Sequence, residues 1–250
     1  MISPRAGRSG ELPRAAGPLA ATLVLLAALL AGPVAHADFA KGRAAFEHGD
    51  YALAYTELIE DAQNGNAEAE FMIGEMASAG LGTPRSYALA TEWYRLAAAK
   101  GYRPADVTLG LLYLHGAGSE DEPTRVAPDP VKAAAYLKIA ADAGDAEAQS
   151  LVGQLYTEGN GVPKDPTLAK HYTLAAANHG IAAAEYNAGL LILNGAGPAA
   201  DLAEAYKWFA LAAQVQYPGA EQNRRFVMGR MTPEQLKQAE ALTSAFHAAP

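Results

Sequence analysis

Three kinds of residue in this 250-residue chain have the types that chemistry needs: histidines, clustered carboxylates and paired glycines. Beyond residue 37 the histidines are His48, His115, His171, His179 and His247. A metal site requires its ligands on one face and within reach of one ion. His171 and His179 share a predicted helix, but eight residues separate them by about 12 Å along its axis. They cannot hold an ion together. The histidines read as surface residues, with His115 kept for binding.

The carboxylates Glu68, Glu70, Glu75, Glu120, Asp121 and Glu122 come with no nucleophile elbow, no paired acid and base and no metal motif. Glu120-Asp121-Glu122 lacks the glycine and the spacing of a calcium loop, so it reads as a solvated charged loop. The glycine pairs Gly80/Gly82, Gly116/Gly118, Gly159/Gly161 and Gly195/Gly197 invite comparison with phosphate cradles. Such a cradle follows a strand and completes G-x-G-x-x-G or G-x-x-x-x-G-K-[ST], and neither is completed here. No catalytic constellation, cofactor or metal is expected. With no cysteine, disulfides and thiolate sites are excluded too.

The glycines have a different meaning once their register is read. Each pair follows a further glycine by six and eight residues: Gly74, Gly110, Gly153 and Gly189. These anchors lie 36, 43 and 36 residues apart, and a seven-residue insertion, Ser119 to Arg125, accounts for the longer interval. A fixed period of this size marks a stacked repeat. Its clearest copy is Ala146 to Ile181.

The first half of each repeat carries apolar columns at Ala69/Ala105/Ala148/Ala184, Ile73/Leu109/Val152/Ala188 and Met76/Leu112/Leu155/Leu191. Offsets of four and three give one face of a helix. The anchor glycine sits inside that helix, where it costs roughly 1 kcal/mol relative to alanine. Close approach of a second helix is the reason to keep it. The glycine pair then ends the first helix. Ser86, Asp129, Asp165 and Asp201 follow as N-caps, with Pro130 and Pro166 at the first helical position. The second helix shows i, i+3, i+4, i+7, i+8 spacing: Ala90, Trp93, Tyr94, Ala97 and Ala98 in the first copy, and Ala205, Trp208, Phe209, Ala212 and Ala213 in the last. Gly101, Gly144 and Gly180 end three of these helices, while Gln216 stands in the fourth place.

These columns, with GNGVPKD at Gly159 to Asp165 as the best-matching loop, resemble the Sel-one-like repeat (SLR) family, a branch of the tetratricopeptide-like solenoids. The resemblance covers Ala67 to about Gln216 and departs from the pattern at Ala77 and Ile192, where Tyr113 and Tyr156 stand in the middle copies. It implies an all-α, right-handed α/α superhelical solenoid. The repeats span 67–102, 103–145, 146–181 and 182–217. A shorter tetratricopeptide-like unit precedes them at 38–66, and capping helices follow at 218–250. Thr232-Pro233-Glu234-Gln235 reads as a capping box for the last of these.

The resemblance also implies a non-enzymatic scaffold or adaptor whose first helices line a concave groove for a protein or peptide. Counting from each anchor at −3, +1, +4 and +5 gives the groove residues. They are Phe71, Glu75, Ser78 and Ala79; Val107, Leu111, Leu114 and His115; Ser150, Gln154, Thr157 and Glu158; and Tyr186, Leu190, Leu193 and Asn194, with Ser78, Ala79, Ser150 and Thr157 the small or weakly chemical members of the set. An apolar–polar–apolar strip suits an extended peptide or a helix with spaced anchors. On the alternative reading the leucines at 111, 114, 190 and 193 widen the core. Two other roles fit the same architecture: a regulatory subunit that holds an envelope sensor or enzyme inactive, and an envelope hydrolase, against which the lack of cysteine weighs.

The N-terminus adds a location. Arg5, Arg8 and Arg14 precede the apolar run Leu19 to Ala31, and Ala35-His36-Ala37 is a small-x-small cleavage site. Residues 1–37 read as a secretory signal peptide, placing the product in the periplasm or outside the cell; an uncleaved anchor is the alternative. Cleavage after Ala37 takes the net charge from −8 to −10. That balance disfavours nucleic acid and anionic membrane surfaces as partners.

Overall fold

The computed structural model describes residues 39–195 and 201–247; the signal-peptide reading falls outside them. Two helices begin the stack, α1 (Phe39–Glu47) and α2 (Tyr51–Gln63). Four pairs follow: α3 (Ala67–Ala79) with α4 (Tyr87–Ala99), α5 (Arg103–His115) with α6 (Pro130–Asp142), α7 (Ala146–Glu158) with α8 (Pro166–Asn178), and α9 (Ala182–Gly195) with α10 (Leu202–Gln214). Finally, α11 (Ala220–Met228) and α12 (Pro233–His247) both pack on α10. Up to α11 each helix packs on the next in order, giving an α/α solenoid. No described helix is long and apolar enough to cross a membrane.

The helix starts are set by side chains. Asp50, Ser86, Asp129, Asp165 and Asp201 each accept a backbone N–H of the first turn that has no partner within the helix. Asn66 and Asp145 do the same for α3 and α7, two caps that the columns alone did not single out. At α12 the Thr232 hydroxyl accepts from Gln235 N at 3.2 Å while Thr232 N donates to the Gln235 side chain at 2.9 Å. That is the reciprocal box the sequence spells.

The anchor glycines are crossing points. A Cβ on Gly153 would lie 2.5 Å from Thr173 Oγ1, and one on Gly110 would lie 2.5 Å from Leu137 Cγ. Tyr94 and Phe209 press on Gly74 and Gly189 in the same way, so one column of the second helix always meets the anchor. A neighbouring column shows compensation of volume. Tyr113 stacks on Tyr136 with centroids 5.9 Å apart, and Tyr156 on Tyr172 at 6.0 Å. Where the first helix has Ala77 or Ile192 instead, the second-helix place holds Trp93 or Trp208.

The glycine pairs divide their work in a way the sequence reading did not anticipate. The first of each pair, Gly80, Gly116 and Gly159, is the C-cap of its helix. The second is a contact between repeats. A Cβ on Gly161 would overlap the carbonyl oxygen of Pro130, the first residue of the preceding repeat's second helix. Gly82 meets Tyr51 and Gly118 meets Tyr87 at the matching places. The insertion Ser119 to Arg125 closes as an antiparallel excursion across the Ala117–Val126 bridge. Its surface is mostly exposed, yet Thr124 O accepts from Ala88 N at 3.0 Å and Glu122 lies 3.4 Å from Arg85.

Candidate functional site

The first-helix residues predicted to face a partner do not share one environment. In the second repeat Leu111 is 37% exposed and His115 is exposed at the last turn of α5. Val107 and Leu114, three residues before and four after the anchor Gly110, are half-buried against the cluster built by α6, α7 and α8. They join successive repeats. In the third repeat Gln154 and Glu158 are exposed and joined by a 2.7 Å hydrogen bond from Gln154 Nε2. Phe71 is held between Tyr94 and Tyr102, with centroids 5.3 and 5.2 Å away. Beside it the Glu75 carboxyl is raised above its ordinary value by burial.

The fourth repeat differs. Tyr186, Leu190 and Leu193 are half-buried in a cluster that also contains Val227 of α11 and Ala239 of α12. The Tyr186 ring lies 5.2 Å from Tyr217, and its hydroxyl accepts from Asn223 Nδ2 at 3.1 Å. The chain's own C-terminal segment occupies this part of the strip, leaving Asn194 exposed. The four leucines therefore divide: Leu111 faces outwards, while Leu114, Leu190 and Leu193 pack against neighbours.

A second feature was missed in the sequence. Four residues before each anchor lie Glu70, Asp106, Gln149 and Glu185, and all four are buried. Glu70, a carboxylate with no chemistry assigned to it from the sequence, is 2% exposed and receives Lys100 Nζ at 2.6 Å. Gln149 Nε2 donates to Ala141 O at 3.2 Å, near the end of the preceding repeat's second helix. Asp106 and Glu185 have no hydrogen bond or ion pair among the described residues, and burial raises both carboxyls, Glu185 to about 6. The signal was present: this column is polar in every copy, one place from the fully apolar column at Ala69. Among the described residues no group of three or more histidine, aspartate or glutamate side chains is placed to hold a metal ion.

Comparison with known proteins bears on this arrangement. The Sel1 repeat is matched at residues 67–102, 108–145, 146–181 and 182–215, more than half of the chain. Among solved structures the chain is similar to a Sel1 repeat protein from Oxalobacter formigenes, at 27% sequence identity and a TM-score of 0.64, over 75% of this chain and 74% of that one. It is also similar to a protective antigen of uropathogenic Escherichia coli strains displaying an SLR fold, at 26% identity and a TM-score of 0.48, over 79% of this chain and 49% of that one. The fold comparison rests on the first. No curated protein matches the chain.

Proposed function

The chain belongs to the Sel1 repeat family, and on that premise we propose that it is an exported scaffold binding a protein or peptide on its first-helix face. The observation that carries the reading is Leu111: a large apolar side chain left exposed one turn before the exposed His115, on a helix whose other apolar rows are packed. Its surroundings supply alternating chemistry, with His115 on the same helix and the Gln154–Glu158 pair on α7. A partner segment with one apolar anchor and flanking polar groups fits that sequence of contacts. Sel1 repeats as a class are suited to such contacts because a stack presents one face repeatedly. The proposed binding residues are Leu111, His115, Gln154, Glu158 and Asn194, with Phe71 and Glu75 at the other end. The leader at residues 1–37 supports export, and the absence of any residue with a nucleophile–base arrangement in the sequence supports a non-catalytic role.

The test is a crosslinking pull-down from envelope extract with the wild-type chain and Leu111→Asp. The expected outcome is loss of a stoichiometric partner at an unchanged melting temperature. Undiminished capture by Leu111→Asp would remove this face from the interaction.

A further inference from the structure

The buried polar row receives a cation from within the chain in one repeat; at the matching carboxylate of the next none lies within ion-pair distance among the described residues, and the cation nearby, Arg103, donates instead to Ala143 O at 3.3 Å. In the first repeat the carboxylate is Glu70 and the cation is Lys100, the C-cap residue of α4. The lysine stem passes Gly65, in the turn after α2, with Cε 3.4 Å from where a Cβ would stand. At the same place in the second repeat the C-cap of α6 is Ala143, and the carboxylate is Asp106. Asp106 is 3% exposed, and among the described residues nothing donates to it or pairs with it. A carboxyl group taken out of water without a donor is costly, and the first repeat shows one way to satisfy it.

Asp106 is not sealed into the core. It lines a cavity of about 370 Å³ between α4 and α6, a volume at the lower end for small-ligand pockets. Leu96 and Ile139, which occupy one column of the two second helices, line it as exposed apolar groups, together with Tyr136 and the last turn of α4. The negative end of the α4 dipole adds to the attraction for a positive charge. The cation already lining the cavity, Arg95, is held by Glu92 at 2.9 and 3.1 Å. Apolar sides suit a methylene stem, and of the two lining carboxylates Glu92 is paired with Arg95, which leaves Asp106 for one ammonium head. A divalent metal would need more oxygen ligands than this site offers.

We propose that the Asp106 cavity binds the alkylammonium group of a lysine side chain presented by a partner protein, taking from outside the cation that Lys100 supplies to Glu70 from within. The protein source of that lysine rests on the scaffold reading; the ammonium site itself does not.

The test uses the full chain with butylammonium and with three capped tripeptides, Gly-Xaa-Gly, with lysine, norleucine or arginine at the centre. Binding is followed by the ¹³C shift of the Asp106 carboxyl and by the dissociation constants. The lysine peptide is expected to bind at least about tenfold tighter than the norleucine peptide, since a charge-assisted hydrogen bond is at stake. That preference should vanish in Asp106→Asn. It should vanish also in Ala143→Lys, which places the first repeat's lysine in the second and fills the site internally; this variant decides the matter if Asp106→Asn fails to fold. Equal binding of lysine and norleucine peptides, or a lysine preference that survives Ala143→Lys, overturns the proposal. Tighter binding of the arginine peptide overturns the ammonium assignment. If butylammonium binds and the lysine peptide does not, the protein source is wrong. Leu111→Asp should leave the peptide affinity unchanged while abolishing partner capture, so failure of the cation site and failure of the scaffold reading are distinguishable.

Discussion

The second and fourth repeats carry leucine at the same two first-helix places, and the structure treats them differently. Leu111 is exposed on α5, whereas Leu190, its counterpart on α9, packs in the cluster formed with α11 and α12. Leu114 and Leu193 are both half-buried, but the first is covered by the next repeat and the second by the C-terminal helices. Identical residues in identical registers thus acquire different roles from the helices that succeed them in the chain. In the middle of a stack the neighbour is another repeat and one row remains free. At the end the neighbour is a lid, which seats Tyr186 against Tyr217 and Asn223 and closes the row.

The largest effect should come from placing a charge on each side of this contrast. Leu190→Asp would bury an unpaired carboxylate at the lid and is expected to cost about 3 kcal/mol or more, enough to lower the yield of folded protein. Leu111→Asp should change stability by roughly 0.5 kcal/mol or less, as surface substitutions do. Denaturant titrations of the pair decide it; equal costs would erase the distinction between the two repeats.

Next in size is the helix crossing, which recurs at the anchor glycine of every repeat. Leucine at Gly153 would enter the space of Thr173, whose backbone nitrogen lies only 3.0 Å from the Cβ position. Overpacking of this kind costs ~1–3 kcal/mol. A melting temperature unchanged by Gly153→Leu would show that the helices do not need the close approach.

The buried polar row separates the repeats again, this time through pH. Glu185 is held up at about 6, against an ordinary 4.5, because burial disfavours its charge. The folded state therefore binds the proton more tightly than the unfolded state. Stability from this group is full below about 4.5 and is lost as pH rises through about 6. Glu185→Gln, which copies the third repeat's Gln149, should abolish that slope and raise stability at pH 7.5 by about 1–2 kcal/mol. Parallel denaturation curves at pH 4.5 and 7.5 for both proteins test the sign, and a variant less stable at pH 7.5 would refute it.

The smallest effect concerns the turn before the lid. Gln216 has φ +58°, a left-handed conformation that its counterparts meet with Gly101, Gly144 and Gly180. Gln216→Gly should stabilise by up to about 1 kcal/mol, visible as a small rise in melting temperature. A fall would mean that the side chain contributes more than the backbone conformation costs.

Much of the fold was legible because it depends on residue types repeated at fixed spacing. Four anchor glycines, four loop-side N-caps and the Thr232–Gln235 box are local signals, and each has the physical partner that its chemistry implies. The buried polar row was not read, although it recurs as regularly. Glu70 and Glu185 lie at the edge of an apolar stripe, where a carboxylate ordinarily faces water; nothing in the local sequence states that packing will bury them. The sorting of the leucines was illegible for a related reason. Nothing within residues 182–195 states that Val227 and Ala239, far along the chain, will lie over Leu190. Contacts within a repeat could be read from one period, and contacts made by the ends could not.

The central claim is that a partner sits on the exposed first-helix row of the middle repeats. A photo-crosslinking residue at Leu111 tests it most directly, with the same residue at Val131, an exposed position on the second helix α6, for comparison. Irradiation in envelope extract should give one discrete adduct from position 111 and none from position 131. An adduct from position 131 alone would place the partner on the other face and contradict the account.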